Sequence, residues 1–308
     1  MLQVDKLTKF YGDFAAIENI SFKVPEGSIF GFVGPNGAGK STTIKILATL
    51  MEPSSGTAWL DGIDVVKNPR AVRGLLGYMP DFFGVYDDLK VTEYLDFYGA
   101  SYGLAPARRR AVIPDLLELV DLSHKAESYV DNLSRGMKQR LCLARCLVHD
   151  PKILLLDEPA SGLDPRARVE MRALLRELQQ MGKTILISSH ILPELAELCQ
   201  HVGIIEKGRL VASGTVEEIM QQGHYRKVVK VRLLSREEEA AKILSQQPAV
   251  DQVVVSEGQV QAGFDGDDAA LAKVLATLVN AKLPVISFGE SSNNLEEIFM
   301  RVTKGEVN

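Results

Sequence analysis

Apolar and polar positions follow two rhythms along the first half of the chain. Leu2–Thr8 and Ile20–Val24 read as strands, Pro25-Glu26-Gly27 as a turn, and Ser28–Val33 as a further, mostly apolar strand. Helical spacing follows from about Lys40 to Leu50, over Val91–Leu119 with a break near Gly103–Pro106, from about Ser134 to Val148, and after Pro165. Ile153–Leu156 is an unbroken apolar run, the pattern of a parallel strand buried on both faces, and Thr184–Ser188 is another strand. Lys207-Gly208 joins Val202–Ile205 to Arg209–Val211 as a hairpin. Strands alternating with helices predict α/β layers.

The rhythm changes near Gln221–Tyr225. Beyond it come strand Val228–Leu234, helix Arg236–Gln246, strands Val250–Ser256 and Gln259–Phe264 around Glu257-Gly258, helix Ala269–Ala281, strand Val285–Gly289 and helix Asn294–Val302. This βαββαβ order with one added helix predicts a small ferredoxin-like α+β domain over 226–308. The preceding domain spans 1–222.

Composition narrows the picture. Of 308 residues, 46% are hydrophobic and 24% charged, which supports a sizeable core and excludes disorder as the main state. The net charge of −5 offers no electrostatic footprint for nucleic acid. Cys142, Cys146 and Cys199 have neither a disulfide framework nor metal-ligand spacing and read as reduced core thiols. No apolar run approaches a membrane span, and Met1–Tyr11 is not a signal peptide, so service to a membrane would come from the water side.

Chemistry concentrates in two places. Gly34-Pro35-Asn36-Gly37-Ala38-Gly39-Lys40-Ser41 fits GxxxxGK[ST] between a predicted strand and a predicted helix. Glycines let several backbone N–H groups converge on one anion, and the helix adds its positive N-terminal end. Lys40 is placed to reach the β- and γ-phosphates of a nucleotide, and the Ser41 hydroxyl to ligate Mg²⁺. Asp157 and Glu158 follow the apolar strand, whose C-terminal end faces the ligand crevice of an open α/β sheet. Asp157 can hold Mg²⁺ through water, and Glu158 can act as general base on an attacking water.

With Asn132-Leu133-Ser134-Arg135-Gly136-Met137-Lys138-Gln139-Arg140 added, the chain resembles the ATP-binding subunit of ABC transporters from Met1 to about Gln222. That segment is similar to the family's LSGGQ signature, a capped helix start able to offer N–H groups to an anion. The resemblance implies a P-loop NTPase domain with a mixed sheet and a helical subdomain at about 85–150. It implies ATP and Mg²⁺ as cofactors. It assigns nucleotide contacts to Tyr11 (adenine stacking), Gly34, Pro35, Asn36, Gly37, Ala38, Gly39, Lys40, Ser41 and Thr42, with Ser134, Arg135 and Gly136 contributed by another copy. Glu158 and His190 take catalytic roles, and Ser41, Asp81 and Asp157 are the metal set. Ser161-Gly162-Leu163-Asp164 resembles the D-loop.

Two departures stand out. Asp81 occupies the position where the family has Gln, adding negative charge beside the phosphates. The signature carries Arg135 and Met137 where Gly and Gln are usual. Phe82 and Phe83 fit either a docking surface or packing within the helical subdomain. Asn294–Phe299 resembles a segment of ABC-2 export ATPases.

The expected activity is ATP hydrolysis by a homodimer, or a heterodimer with a related ATPase, which drives export through a separate transmembrane permease subunit. The expected place is the cytoplasmic face of the membrane. The alternative is a regulatory ABC ATPase acting on a membrane complex without moving a solute. A translation or DNA-repair ATPase is disfavoured by the single nucleotide-site sequence and the lack of basic excess. A small-molecule kinase leaves Leu133–Met137 unexplained.

Overall fold

A computed structural model of the chain describes every residue except 83, 85–87, 192–194, 196, 223–226, 257 and 292–308. The chain separates into two compact units, the first from Met1 to Val216 and the second beginning at Glu217.

The first unit is built on two sheets. One is antiparallel, in the order β2 (Phe14–Val24), β1 (Leu2–Tyr11), β4 (Ser55–Leu60), β5 (Ile63–Asp64). The other runs β10 (Arg209–Thr215), β9 (His201–Glu206), β3 (Ile29–Val33), β8 (Thr184–Ser189), β7 (Ile153–Asp157), β6 (Leu76–Met79). Its strands pair in parallel except at the β10 edge. Every residue of β3, β7 and β8 is buried, as strands covered on both faces must be. The sheets meet through aromatic packing: Phe22 stacks on Phe30 and Phe32 at 5.2 and 5.3 Å between ring centroids.

The helices α1 (Lys40–Leu47) and α2 (Pro69–Arg73) join strands. Next come α3 (Val91–Ser101), α4 (Pro106–Leu119), α5 (Arg135–Leu147) and α6 (Pro165–Gln180). The break between α3 and α4 falls where Gly103 adopts a φ of 79° and Pro106 starts the next helix, which the residue types announce. The helix after the glycine-rich loop stops at Leu47 rather than Leu50, because Thr49 turns left-handed with a φ of 59°. The first two strands run longer than their apolar runs, to Tyr11 and from Phe14, and β4 has no counterpart in the sequence reading. Its Ser-Gly-Thr-Ala-Trp-Leu begins in turn-forming residues, and pairing with β1, Leu2 opposite Leu60, and with β5, Trp59 opposite Asp64, holds it extended.

In the second unit α7 (Val216–Gln222) leads into β11 (Lys227–Leu233), α8 (Glu237–Ser245), β12 (Val250–Ser256), β13 (Gln259–Phe264), α9 (Asp268–Asn280) and β14 (Val285–Ser291). The sheet order β12-β13-β11-β14, antiparallel at every pairing, is the ferredoxin-like arrangement. Its apolar cluster includes Val231, Val260, Phe264 and Leu278. The helix expected over Asn294–Val302 lies outside the described residues. Among the described residues, no helix is long and apolar enough to cross a membrane.

Candidate functional site

The strand β3 delivers the chain into the glycine-rich loop, whose path only glycine tolerates. Gly37 and Gly39 have φ of 82° and 105°. A Cβ on Gly39 would lie 2.6 Å from the Ala16 carbonyl oxygen, and one on Gly34 would strike the Ile205 carbonyl. Lys40 opens α1 and is only 6% exposed. Its Nζ donates to the carbonyls of Gly34 (2.7 Å) and Pro35 (3.2 Å) and lies 3.5 Å from Glu158 Oε1. Burial lowers its pKa, opposed by the charge of Glu158.

Parallel pairing sets Asp157 at the end of β7 opposite Ser188 of β8. The Ser188 hydroxyl donates to Asp157 Oδ1 at 2.6 Å and accepts from the Glu158 backbone N–H at 3.0 Å. Glu158 itself is left-handed, with a φ of 51°. Such a conformation costs a non-glycine residue about 1–3 kcal/mol, and the Ser188 bond helps hold it. The turn aims the carboxylate back across the sheet edge. Oε1 faces Lys40, while Oε2 lies 2.8 Å from His190 Nδ1.

Around this constellation opens a cleft of about 430 Å³, a size that takes a small-molecule ligand. Of the residues singled out in the sequence, Tyr11, Asn36, Gly37, Ala38, Gly39, Lys40, Ser41, Thr42, Asp81, Glu158 and His190 line it. Gly34, Pro35 and Asp157 do not: the first two meet Lys40 through their carbonyls, and Asp157 is buried against Ser188. Tyr11 is half exposed at the end of β1. Phe14, Ala16 and Ser161 also line the cleft. Phe14 and Ala16 carry no sequence signal, because sheet pairing puts them there, whereas Ser161 opens the segment that resembles the D-loop.

Ser134, Arg135 and Gly136 line a different cleft of about 310 Å³, together with Met137, Arg140, Gly162 and Asp164. Ser134 caps α5, its hydroxyl oxygen accepting from Met137 N at 3.3 Å, and its O–H stays available to donate. Two side chains of α5 converge on one backbone oxygen of the loop between β7 and α6: Arg135 Nη2 and Gln139 Nε2 donate to Ser161 O at 3.1 and 3.2 Å. Phe82 is 88% exposed, whereas Phe83 lies outside the described residues.

The chemistry of the first cleft suits a magnesium nucleotide. The loop supplies backbone N–H groups, a buried ammonium and a helix N-terminus for phosphates. No group of three or more His, Cys, Asp or Glu able to hold a metal exists among the described residues. Magnesium does not need one, since it is commonly held by one or two carboxylates, phosphate oxygens and water. Ser41, Asp81 and Asp157 are hard oxygen donors of that kind.

Comparison with known proteins agrees with this geometry. Residues 17–161 match the ABC transporter family, and residues 214–303 match the ATP-binding protein DrrA1-3-like C-terminal domain. The Nod factor export ATP-binding protein I of Paraburkholderia xenovorans is 42% identical over 213 residues, which is 69% of this chain and 70% of that protein. Its namesake in Ralstonia nicotianae is 35% identical over 308 residues, 100% of this chain and 95% of that protein. A solved ATP-binding subunit of an ABC transporter superposes with a TM-score of 0.66 at 33% identity, covering 72% of this chain and 92% of that one. The phosphate-loop cleft and these likenesses lead to one conclusion: the chain belongs to the ABC transporter family as an ATP-binding, ATP-hydrolysing subunit.

Proposed function

We propose that two copies of this chain clasp two Mg·ATP molecules, each phosphate-loop cleft being closed by the signature cleft of the other copy, and that hydrolysis drives export through a transmembrane partner. Support comes from the division of the chemistry. Lys40, Glu158 and His190 lie together in one cleft, while Ser134, Arg135 and Gly136 lie in another. Neither cleft holds both halves. A γ-phosphate shared between them makes charge-assisted hydrogen bonds that exist only in the closed dimer, so binding favours closure and hydrolysis reopens it.

The observation that carries the catalytic reading is the carboxylate of Glu158, set between Lys40 Nζ at 3.5 Å and His190 Nδ1 at 2.8 Å. Glu158 takes the proton of the attacking water, His190 orients that carboxylate and the water, and Lys40 draws the phosphates toward both. Ser41, Asp81 and Asp157 would hold magnesium, whose charge would offset that of the phosphate oxygens. Tyr11 stacks on the base. Replacing Glu158 by Gln retains ATP binding, traps the dimer and reduces turnover by at least about a hundredfold. Rapid hydrolysis by that variant, followed by phosphate release, would remove Glu158 from the role.

Export is inferred from the relatives, whose names refer to Nod factor export. The transmembrane subunit would dock beside Asp81, where Phe82 is exposed, placing this chain on the cytoplasmic face of the membrane. Residues 1–222 form the motor and 226–308 support the dimer. A chain ending at Gln222 is therefore expected to need more ATP to dimerise, as light scattering would measure. Equal performance would show the second domain to be dispensable for dimerisation.

A further inference from the structure

Two charges depart from the family pattern, and they sit on the two surfaces that the proposed clasp brings together. Asp81, an acid in place of Gln, lines the phosphate-loop cleft and adds its field to that of Glu158 on Lys40. Arg135, a base in place of Gly, lines the signature cleft. Both side chains are exposed, and neither makes an ion pair among the described residues. The neighbouring cations of the signature cleft are already matched, Arg140 with Asp121 at 3.0 Å and Arg166 with Glu170 at 3.1 Å. Arg135 instead lies over Gly162, where any Cβ would collide with its guanidinium, and spends one hydrogen bond at 3.1 Å on the neutral Ser161 carbonyl.

We propose that Asp81 of one copy and Arg135 of a second copy form a charge pair across the dimer, once at each nucleotide. The proposal rests on the two-copy clasp. Closing the clasp gathers Asp81, Asp157 and Glu158 near a triphosphate, a negative charge greater than Lys40 and one magnesium ion together balance, so an acid in place of a neutral side chain at 81 adds to the excess. A guanidinium arriving from the opposite copy offsets it, and exchanging a single bond to a neutral carbonyl for a carboxylate is a gain in charge-assisted bonding. The pair also discriminates. A related ATPase with neutral side chains at both positions would leave both charges unmatched, so this chain prefers a copy of itself.

The test uses the full chain with Glu158→Gln and Mg·ATP, scored by light scattering. Asp81→Lys and Arg135→Glu are made in separate copies. Alone, each faces like charges at both sites and is expected to dimerise at least about tenfold more weakly than the parent. Mixed in equal amounts, the two restore opposite charges at both sites, and the mixed dimer should form at least about tenfold more tightly than either variant alone, although Asp81→Lys also removes a magnesium donor. A mixture no better than its components overturns the pair, as do single variants that dimerise like the parent. A parent that stays monomeric overturns the clasp, and the pair with it. Asp81→Asn and Arg135→Gln give an independent check that reverses no charge. Coupled partners make the double variant no weaker than the worse single one, whereas losses that multiply overturn the pair.

Discussion

Ser188 is the residue on which the reactive turn depends. Its hydroxyl bridges Asp157 and the backbone of Glu158, two neighbours that it meets only because β7 and β8 run parallel in register. Replacing it by Ala leaves a buried carboxylate without its donor and frees a left-handed Glu158. We expect Ser188→Ala to cost about 1–3 kcal/mol in denaturant unfolding and to lower kcat more than it raises KM for ATP. Unchanged kcat in a correctly folded variant would show that the hydroxyl serves packing alone. The acids themselves were legible in the sequence as the end of an apolar strand. The serine was not, since nothing local distinguishes it from any other strand residue.

Among the elements, α5 serves both clefts. Ser134 caps its start in the signature cleft, and Arg135 and Gln139 tie it to the Ser161 carbonyl beside the phosphate-loop cleft. Just past its far end sits His149, stacked on Tyr102 at 3.7 Å between centroids and 10° between planes. His149 Nε2 lies 3.0 Å from the Leu76 carbonyl oxygen and so donates, while Nδ1 is buried without a partner among the described residues. Burial holds the ring's pKa below the usual 6.5 despite the Leu76 bond. Above that value both folded and unfolded chains carry a neutral ring and the group contributes no pH dependence. Below it the unfolded chain binds the proton first, so stability falls as pH drops toward the lower folded value. The unfolding free-energy gap between wild type and His149→Asn should therefore narrow from about pH 7.5 to about pH 5.5. A gap independent of pH would show that the ring does not titrate there. Nothing in the sequence around His149 hints at the aromatic on which it rests.

Over the whole molecule, among the described residues, one apolar cluster reaches from Leu2 to Ile205 and another from Val229 to Leu283, and these two share no member. Two cores of this kind are expected to melt separately, and calorimetry of the full chain should show two transitions, with ATP raising only the one belonging to the nucleotide domain. A single transition shifted as a whole by ATP would mean that the domains unfold as one. The α/β layers, the small α+β fold that follows them and the phosphate-binding loop could be read from the sequence alone. Each depends on short-range rules: glycines at forbidden angles, apolar strands, a capped helix start, a change of rhythm near Gln221. What only the tertiary structure decided is who meets whom. Ser188 under Asp157, Ser161 held by α5, and the separation of the phosphate-loop and signature clefts all join residues far apart in the chain, and sheet order and packing set such contacts while sequence spacing carries no record of them.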